Sequence, residues 1–271
     1  MDKYAVLGQP VAHSASPRIH AAFAQALGAQ LSYEKLEVAP AELAATLARL
    51  HEEGYAGLNL TVPLKSAAVA LCKTLSERAR VAGAVNTLIR DPDGWRGDNT
   101  DGAGLIRDLR ANLGVALEGR RVLILGAGGA ARGILAPLLR QKPAFLALAG
   151  RTPWKPEEVA AAFKTIGPVA PRTFLALKGD RFDLVINATS AGHQGEAPRL
   201  PPGVIAAGTT AYDMSYGKAA EPFLALARAQ GAVAHDGLGM LVEQAAESFL
   251  LWRGLRPETA PVLAALRAAS A

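Results

Sequence analysis

The spacing of hydrophobic and polar positions changes repeatedly along the chain. Apolar runs at residues 3–7 and 31–38 read as strands. Between them, residues 17–27 carry apolar positions every three to four residues, a helix with Ser16 as its N-cap and Pro17 at its first position. Pro40 and Ala41 open a second helix to about His51, and residues 57–61 form a strand that ends in Val62-Pro63. Residues 84–90 and 95–98 predict a hairpin around Asp91-Pro92-Asp93-Gly94, and a helix follows Asn99-Thr100-Asp101-Gly102 to about Asn112. The run 121–125 is apolar through its centre, as in a strand buried on both faces of a parallel sheet. Further strands at 145–149, 183–187, 211–214 and 232–234 alternate with helical stretches. The last 35 or so residues are mainly helical, 239–252 and from 257 onward. This alternation predicts an α/β fold.

Composition narrows the setting. Half of the 271 residues are hydrophobic, enough for a sizeable core. Cys72 is the sole cysteine, so no disulfide can form within the chain and a reducing compartment is expected. No segment approaches the roughly 20 apolar residues that span a bilayer, and the first residues do not resemble a signal peptide. The expectation is a cytoplasmic protein. The net charge of +5 raises the possibility of nucleic-acid binding, but the lysines and arginines are scattered and no basic run is interleaved with aromatics. A mild basic excess suits small anionic ligands instead. No His, Cys and Asp spacing matches a metal site.

Gly126-Ala127-Gly128-Gly129-Ala130-Ala131 follows the strand 121–125 and opens a helix, fitting G-x-G-x-x-A. The first glycine permits a tight turn, the second lets the backbone approach a pyrophosphate, and the small last residue lets helix and strand pack closely. Free N–H groups at the helix N-terminus would hold the pyrophosphate. The next strand ends Ala149-Gly150-Arg151-Thr152, where an NAD-type fold would place an acid on the ribose 2′-hydroxyl. Arg151, with Lys155 one turn later, suits a 2′-phosphate, so the expected cofactor is NADP.

Polar residues also gather at strand ends in the first third. Ser14 and Ser16 flank the first helix, where hydroxyls near a helix N-terminus can hold a carboxylate or simply cap the helix. Asn59 and Thr61 share one side of their strand by its two-residue period. Lys65 follows, Asn86-Thr87 interrupts an apolar strand, and Asp101 is either a helix cap or a site residue. In open α/β sheets, ligands bind at such strand ends.

These segments resemble the shikimate dehydrogenase family: GQPVAHSASPRIH at 8–20, NLTVPLK at 59–65, GAVNTL at 83–88, DNTDG at 98–102, GAGGAAR at 126–132, NATSAG at 187–192, YDMSY at 212–216 and DGLGMLVEQ at 236–244. They fall in order over nearly the whole chain. The resemblance implies two domains with a cleft between them. One is an N-terminal α/β substrate domain, residues 1–102 completed by 237–271; the other is a Rossmann-type doubly wound NADP domain, 103–236. It implies reversible, NADP-dependent reduction of 3-dehydroshikimate to shikimate on the route to chorismate and the aromatic amino acids, by a monomer or homodimer. Ser14, Ser16 and Tyr216 would hold the substrate carboxylate. Thr61, Asn86, Asp101 and Gln244 would hold the ring hydroxyls. Lys65 and Asp101 would be the catalytic pair, with Lys65 also touching substrate. Gly126, Ala127, Gly128, Gly129, Ala130, Arg151, Thr152, Lys155, Thr189, Met214 and Gly237 would contact the cofactor. The chain departs from the family pattern at Gly150, often Asn; at His193, often Met; and at Gly217-Lys218, where a proline is common.

Three other readings bear on the same residues. A quinate/shikimate dehydrogenase of relaxed specificity would often favour NAD, against Arg151. A non-catalytic NADP sensor would not need Lys65 with Asp101. A hydrolase reading rests on Ala188-Thr189-Ser190-Ala191-Gly192, which lacks the first glycine of G-x-S-x-G.

Overall fold

The computed structural model describes residues 1–269, and the chain divides into two compact units, residues 1–105 with 241–271 and residues 106–240. Ser270 and Ala271, at the end of the expected last helix, lie outside the described residues.

The first unit runs β1 (Asp2–Gly8), α1 (Ser16–Ala26), β2 (Leu31–Glu37), α2 (Leu43–Glu52), β3 (Tyr55–Leu60), β4 (Thr74–Leu75), α3 (Glu77–Ala82), β5 (Thr87–Asp91), β6 (Gly94–Asp98) and the start of α4 (Asp101–Arg107). Its sheet has the order β2-β1-β3-β5-β6-β4. The strands β2, β1 and β3 are parallel, and β5 pairs antiparallel with both β3 and β6. Tyr4 to Leu7 of β1 are all buried, as a central strand requires. Helix α2 buries Leu43, Leu47 and Leu50, the i, i+4, i+7 positions of one face, against this sheet's core. The hairpin β5–β6 turns at Pro92-Asp93 as the pattern predicts. Strand β4 is two residues long and carries too little pattern to have been foreseen.

One local expectation fails. Ser16 is not an N-cap: α1 begins at Ser16 itself, and Ala15 occupies the cap position without a side-chain hydrogen bond. The Ser14 hydroxyl accepts from the Ser16 backbone N–H at 3.3 Å, so Ser14 does the work assigned to Ser16. The helix starts one residue early, and Pro17 still falls in its first two positions.

The second unit continues with β7 (Arg121–Leu125), α5 (Gly129–Leu139), β8 (Phe145–Gly150), α6 (Trp154–Phe163), β9 (Ala170–Thr173), β10 (Leu184–Asn187), β11 (Thr210–Asp213), α7 (Glu221–Ala229) and β12 (Val233–His235). All six strands are parallel, in the order β12-β11-β10-β7-β8-β9. Numbered from β7, that order is 3-2-1-4-5-6 read from β9, the doubly wound arrangement that binds dinucleotides where the strand order reverses. Strand β9 was not foreseen: it is four residues of Ala, Pro, Arg and Thr, half-buried at the sheet edge, without apolar alternation. Helix α8 (Leu238–Arg253) begins in this unit and finishes in the first, where α9 (Ala260–Ala268) follows.

Candidate functional site

In the first unit, the polar residues at the strand ends converge. Lys65 stands in the loop after β3, and its ammonium donates to Asp101 Oδ2 at 2.6 Å. Both side chains are largely shielded, 14% exposed for lysine and 4% for aspartate, so each depends on the other for its charge compensation. Asp101 is the first residue of α4 rather than a cap. Asn99 Oδ1 accepts the Asp101 backbone N–H at 3.1 Å, which leaves the Asp101 carboxylate free to face Lys65. Its other oxygen, Oδ1, accepts from the Asn86 amide at 2.9 Å. The same amide nitrogen lies 2.8 Å from Thr100 Oγ1 and 3.1 Å from Gln244 Oε1. Its two hydrogens therefore face three acceptors, and the longest contact, to Gln244, is the one most readily given up to a ligand.

Behind this pocket lies a fully buried polar layer. Ser248 stands one turn after Gln244 on α8. It lies 2.8 Å from Thr87 Oγ1 and 3.3 Å from Thr100 Oγ1, and it accepts from Asn59 at 3.1 Å. One turn later Trp252 Nε1 donates to the Leu88 carbonyl of β5, with its ring over Gly57. Gln244, Ser248 and Trp252 thus form an i, i+4, i+8 stripe that carries hydrogen bonds from α8 into β3 and β5. Ser248 was missed from sequence because a lone serine in an apolar helix has no distinguishing pattern. Its i+4 spacing from Gln244 was the available signal. Asn59 likewise faces this layer and the Tyr33 hydroxyl, which donates to it at 2.7 Å.

Ser14 and Ser16 are brought together at the start of α1, 3.1 Å between hydroxyl oxygens. Thr61 is half-buried just past the end of β3, its methyl group filling the space a side chain at Gly8 would need. Tyr216 stands in the second unit.

In the second unit the glycine loop follows β7 as expected. Gly126 has φ +104°, and a Cβ there would lie 2.9 Å from the Ala188 carbonyl oxygen. A side chain is therefore excluded on both conformational and steric grounds. Gly128 is the N-cap of α5, and a Cβ there would meet no atom within 4 Å. The backbone is thus bare and accessible at the helix N-terminus, next to where β7 and β10 diverge. Ala127, Gly129 and Ala130 complete a loop that fits a pyrophosphate. Just after β8, Arg151 is exposed and Thr152 half-buried, and Lys155, in the first turn of α6, is exposed. Gly150 is explained by α6: a Cβ there would press on Pro156 at 3.0 Å. Thr189 follows β10, Met214 follows β11, and Gly237 immediately precedes α8. Among the described residues no three His, Cys, Asp or Glu side chains stand close enough to hold a metal, and no helix is long and apolar enough to cross a membrane.

The first unit's sequence matches the family model described as the shikimate dehydrogenase substrate binding domain, over residues 6–88. Residues 237–267 match the shikimate 5′-dehydrogenase C-terminal domain. A shikimate dehydrogenase (NADP(+)) of Nitrosospira multiformis is 54% identical over 268 residues, covering 98% of this chain and 97% of its own. The chain belongs to the shikimate dehydrogenase family. A second relative of the same description, from Aromatoleum aromaticum, is 57% identical over 272 residues and covers the same shares. The crystal structure of shikimate 5-dehydrogenase from Thermus thermophilus, in complex with NADP(H) and shikimate, superposes with a TM-score of 0.84 at 34% identity, over 99% of this chain and 100% of that one.

Proposed function

We propose that the chain catalyses the reversible, NADP-dependent reduction of 3-dehydroshikimate to shikimate, with Lys65 and Asp101 as the catalytic pair. Membership of a family whose relatives carry that activity supports the reaction. The observation that supports the residue roles is the shielded Lys65–Asp101 ion pair, 2.6 Å long and tied through Asn86 to Gln244. NADPH, when bound, supplies the hydride.

The residues of the chain do the rest. As the ketone is reduced, negative charge grows on its oxygen. The Lys65 ammonium stabilises that charge and lies ready to give up a proton. Asp101 holds the Lys65 ammonium in place through their 2.6 Å ion pair. Asn86, Gln244 and Thr61, together with Asp101, take the ring hydroxyls. The Ser14 and Ser16 hydroxyls take the carboxylate at the start of α1, and Tyr216 adds a hydroxyl. On the cofactor side, residues 126–130 cradle the pyrophosphate, while Arg151, Thr152 and Lys155 meet the 2′-phosphate. Thr189, Met214 and Gly237 line the remaining cofactor contacts. Residues 1–102 with 237–271 serve as the substrate domain and 103–236 as the NADP domain. The protein works on small molecules in the cytoplasm, as a monomer or homodimer.

The direct test mixes purified protein with shikimate and either NADP or NAD and follows the absorbance of the reduced nicotinamide. Rapid reduction of NADP, much slower reduction of NAD, and little turnover of quinate are expected. Turnover of quinate with NAD at the rate of shikimate with NADP would favour the relaxed-specificity reading instead.

A further inference from the structure

Asn187 and Asp213 close the ends of adjacent parallel strands, β10 and β11, directly opposite each other in register. Both are buried, at 1% and 0% exposure. The Asn187 amide donates to Asp213 Oδ2 at 2.7 Å. Neither residue is among the proposed contacts to substrate or cofactor, yet their remaining polar atoms reach outward into the loops that follow. Asn187 Oδ1 accepts from both the backbone N–H and the hydroxyl of Thr189, at 3.1 and 2.7 Å. Asp213 Oδ1 accepts the Ser215 N–H at 2.7 Å. The Ser215 carbonyl then accepts the Gly237 N–H at 2.8 Å, and the Asn187 carbonyl accepts the Met214 N–H at 3.0 Å. Gly237 is packed so tightly on this turn that a Cβ would lie 2.5 Å from the Met214 carbonyl oxygen. The side chains of the pair thus hold Thr189 and Ser215 directly; Met214 lies between Asp213 and Ser215 in the same turn, and Ser215 passes the constraint to Gly237 through its carbonyl.

We propose that Asn187 and Asp213 are positioning residues for NADP(H): their side-chain pair sets the loops after β10 and β11 in the conformation that binds the cofactor. The proposal rests on the reading of Thr189, Met214 and Gly237 as cofactor contacts. The chemistry of the pair is directional. A carboxylate has only acceptors, so Asp213 can satisfy the Ser215 N–H and the Asn187 amide at once. Asp213→Asn leaves one acceptor oxygen for those two donors, and one donor is stranded in a buried site. Asn187→Asp sets two carboxylates oxygen to oxygen. Exchanging the two residues removes both faults. The carboxylate, now on β10, would accept from Thr189 with one oxygen and from the facing amide with the other. The amide, now on β11, would accept the Ser215 N–H through its own oxygen. Every bond survives and only the central one reverses.

The test compares Asp213→Asn, Asn187→Asp and the exchanged double variant by equilibrium titration with NADPH, followed by its fluorescence. Thermal unfolding of the free proteins and the KM for shikimate are measured alongside. Each single change should weaken NADPH binding about tenfold or more, in line with the usual cost of losing an orienting partner. The double variant should return to within about threefold of wild type, and the KM for shikimate should move by less than about threefold throughout. Folded single variants with wild-type NADPH affinity would overturn the proposal, as would a stable double variant that fails to regain it. Arg151→Ala in the same titration separates the two levels. If it weakens NADPH binding while the single variants do not, the cofactor site stands and the positioning role falls. If it too leaves binding unchanged, the site reading falls and takes this inference with it. Should both single variants fail to fold, the exchanged double variant decides, because it keeps every bond from the pair to the loops: NADPH affinity within about threefold of wild type supports the proposal, and a folded double variant that binds NADPH more weakly overturns it.

Discussion

The strand ends of the first unit carry side chains that are hydrogen-bonded to one another. Lys65, Asp101, Asn86, Gln244 and Thr100 form one connected set, backed by Thr87, Ser248 and Asn59. The end of β7 in the second unit presents mostly backbone. Gly126 and Gly128 keep a loop bare at a helix N-terminus, and Arg151, just after the next strand, and Lys155, in the first turn of the helix that follows it, are exposed. On the proposed roles, the contrast follows from what each side recognises. A small polyhydroxylated ring is told apart by the direction of each hydroxyl, which takes fixed side chains held from behind. A pyrophosphate is recognised by charge and shape, which free N–H groups at a helix end supply without side chains. Substitutions at Lys65 and Asp101 in the first unit should therefore act on the chemical step, and those at the glycine loop and Arg151 in the second on cofactor affinity.

The largest expected effect is at Lys65. An ammonium that acts mainly in the transition state lowers kcat when removed and leaves ground-state binding much less changed. Lys65→Ala and Lys65→Met should each cost roughly 10²- to 10⁴-fold in kcat. Steady-state rates with shikimate, on protein shown to fold and to bind NADPH, provide the measurement. Turnover within about threefold of wild type would mean a solvated loop lysine.

The buried layer behind the pocket makes its own prediction, through stability. His20 of α1 is wholly buried, stacked on Tyr33 at 4.4 Å between ring centroids, with neither ring nitrogen in a well-formed hydrogen bond among the described residues. Burial pulls its pKa down to about 3, and the nearby Asn59 side chain offsets this only in part. The unfolded chain, with an ordinary value of about 6.5, binds the proton first. Stability is therefore lost as the pH falls through the window from about 6.5 towards 3. His20→Phe removes this proton. The stability of the variant relative to wild type should rise by about 2 kcal/mol between pH 7 and pH 5, read from urea unfolding at both values. In the second unit Asp213 pulls the other way. Burial raises its pKa to about 6, so between its ordinary value and about 6 the folded state holds the extra proton and stability falls as the pH rises. A pH-independent difference between His20→Phe and wild type would mean that His20 has a hidden partner.

Comparable in size is the effect on cofactor choice. Arg151→Ala should raise the KM for NADP roughly 10- to 150-fold, the worth of a charge-assisted contact, and leave NAD little changed. An equal loss with both cofactors would remove Arg151 from the 2′-phosphate. The smallest is the paired change of Ser14 and Ser16 to Ala, which should raise the KM for shikimate by about tenfold with a lesser fall in kcat, since the carboxylate is remote from the reacting carbon. Ser14 also accepts a first-turn N–H, so thermal unfolding separates lost binding from a lost cap.

The two units were legible from sequence to different degrees, for the same physical reason. Apolar parallel strands and a glycine loop are local patterns, so β7, its loop and α5 could be read residue by residue. The edge strand β9 could not, because half-buried Ala170, Pro171, Arg172 and Thr173 show no period. In the first unit the polar strand ends were visible, but their mutual arrangement was not. Asn86 meets Gln244 across 158 positions and Asn59 meets Ser248 across 189, contacts that no local spacing encodes. The cap at α1 was misjudged because the serine before a proline is the expected N-cap. The helix instead takes that serine into its first turn, and Ser14 supplies the capping hydroxyl.

A double-mutant cycle across Lys65 and Asp101 tests most directly whether the first unit's network acts as one device. Asp101→Asn keeps a hydrogen-bonding side chain but removes the charge that holds the ammonium 2.6 Å away. With kcat measured for Lys65→Met, Asp101→Asn and the double variant, the two single changes should each be severely slow and the double little worse than either, because groups that act as a unit are non-additive. A double variant slowed by the full product of the two single losses would show two independent residues and contradict the account.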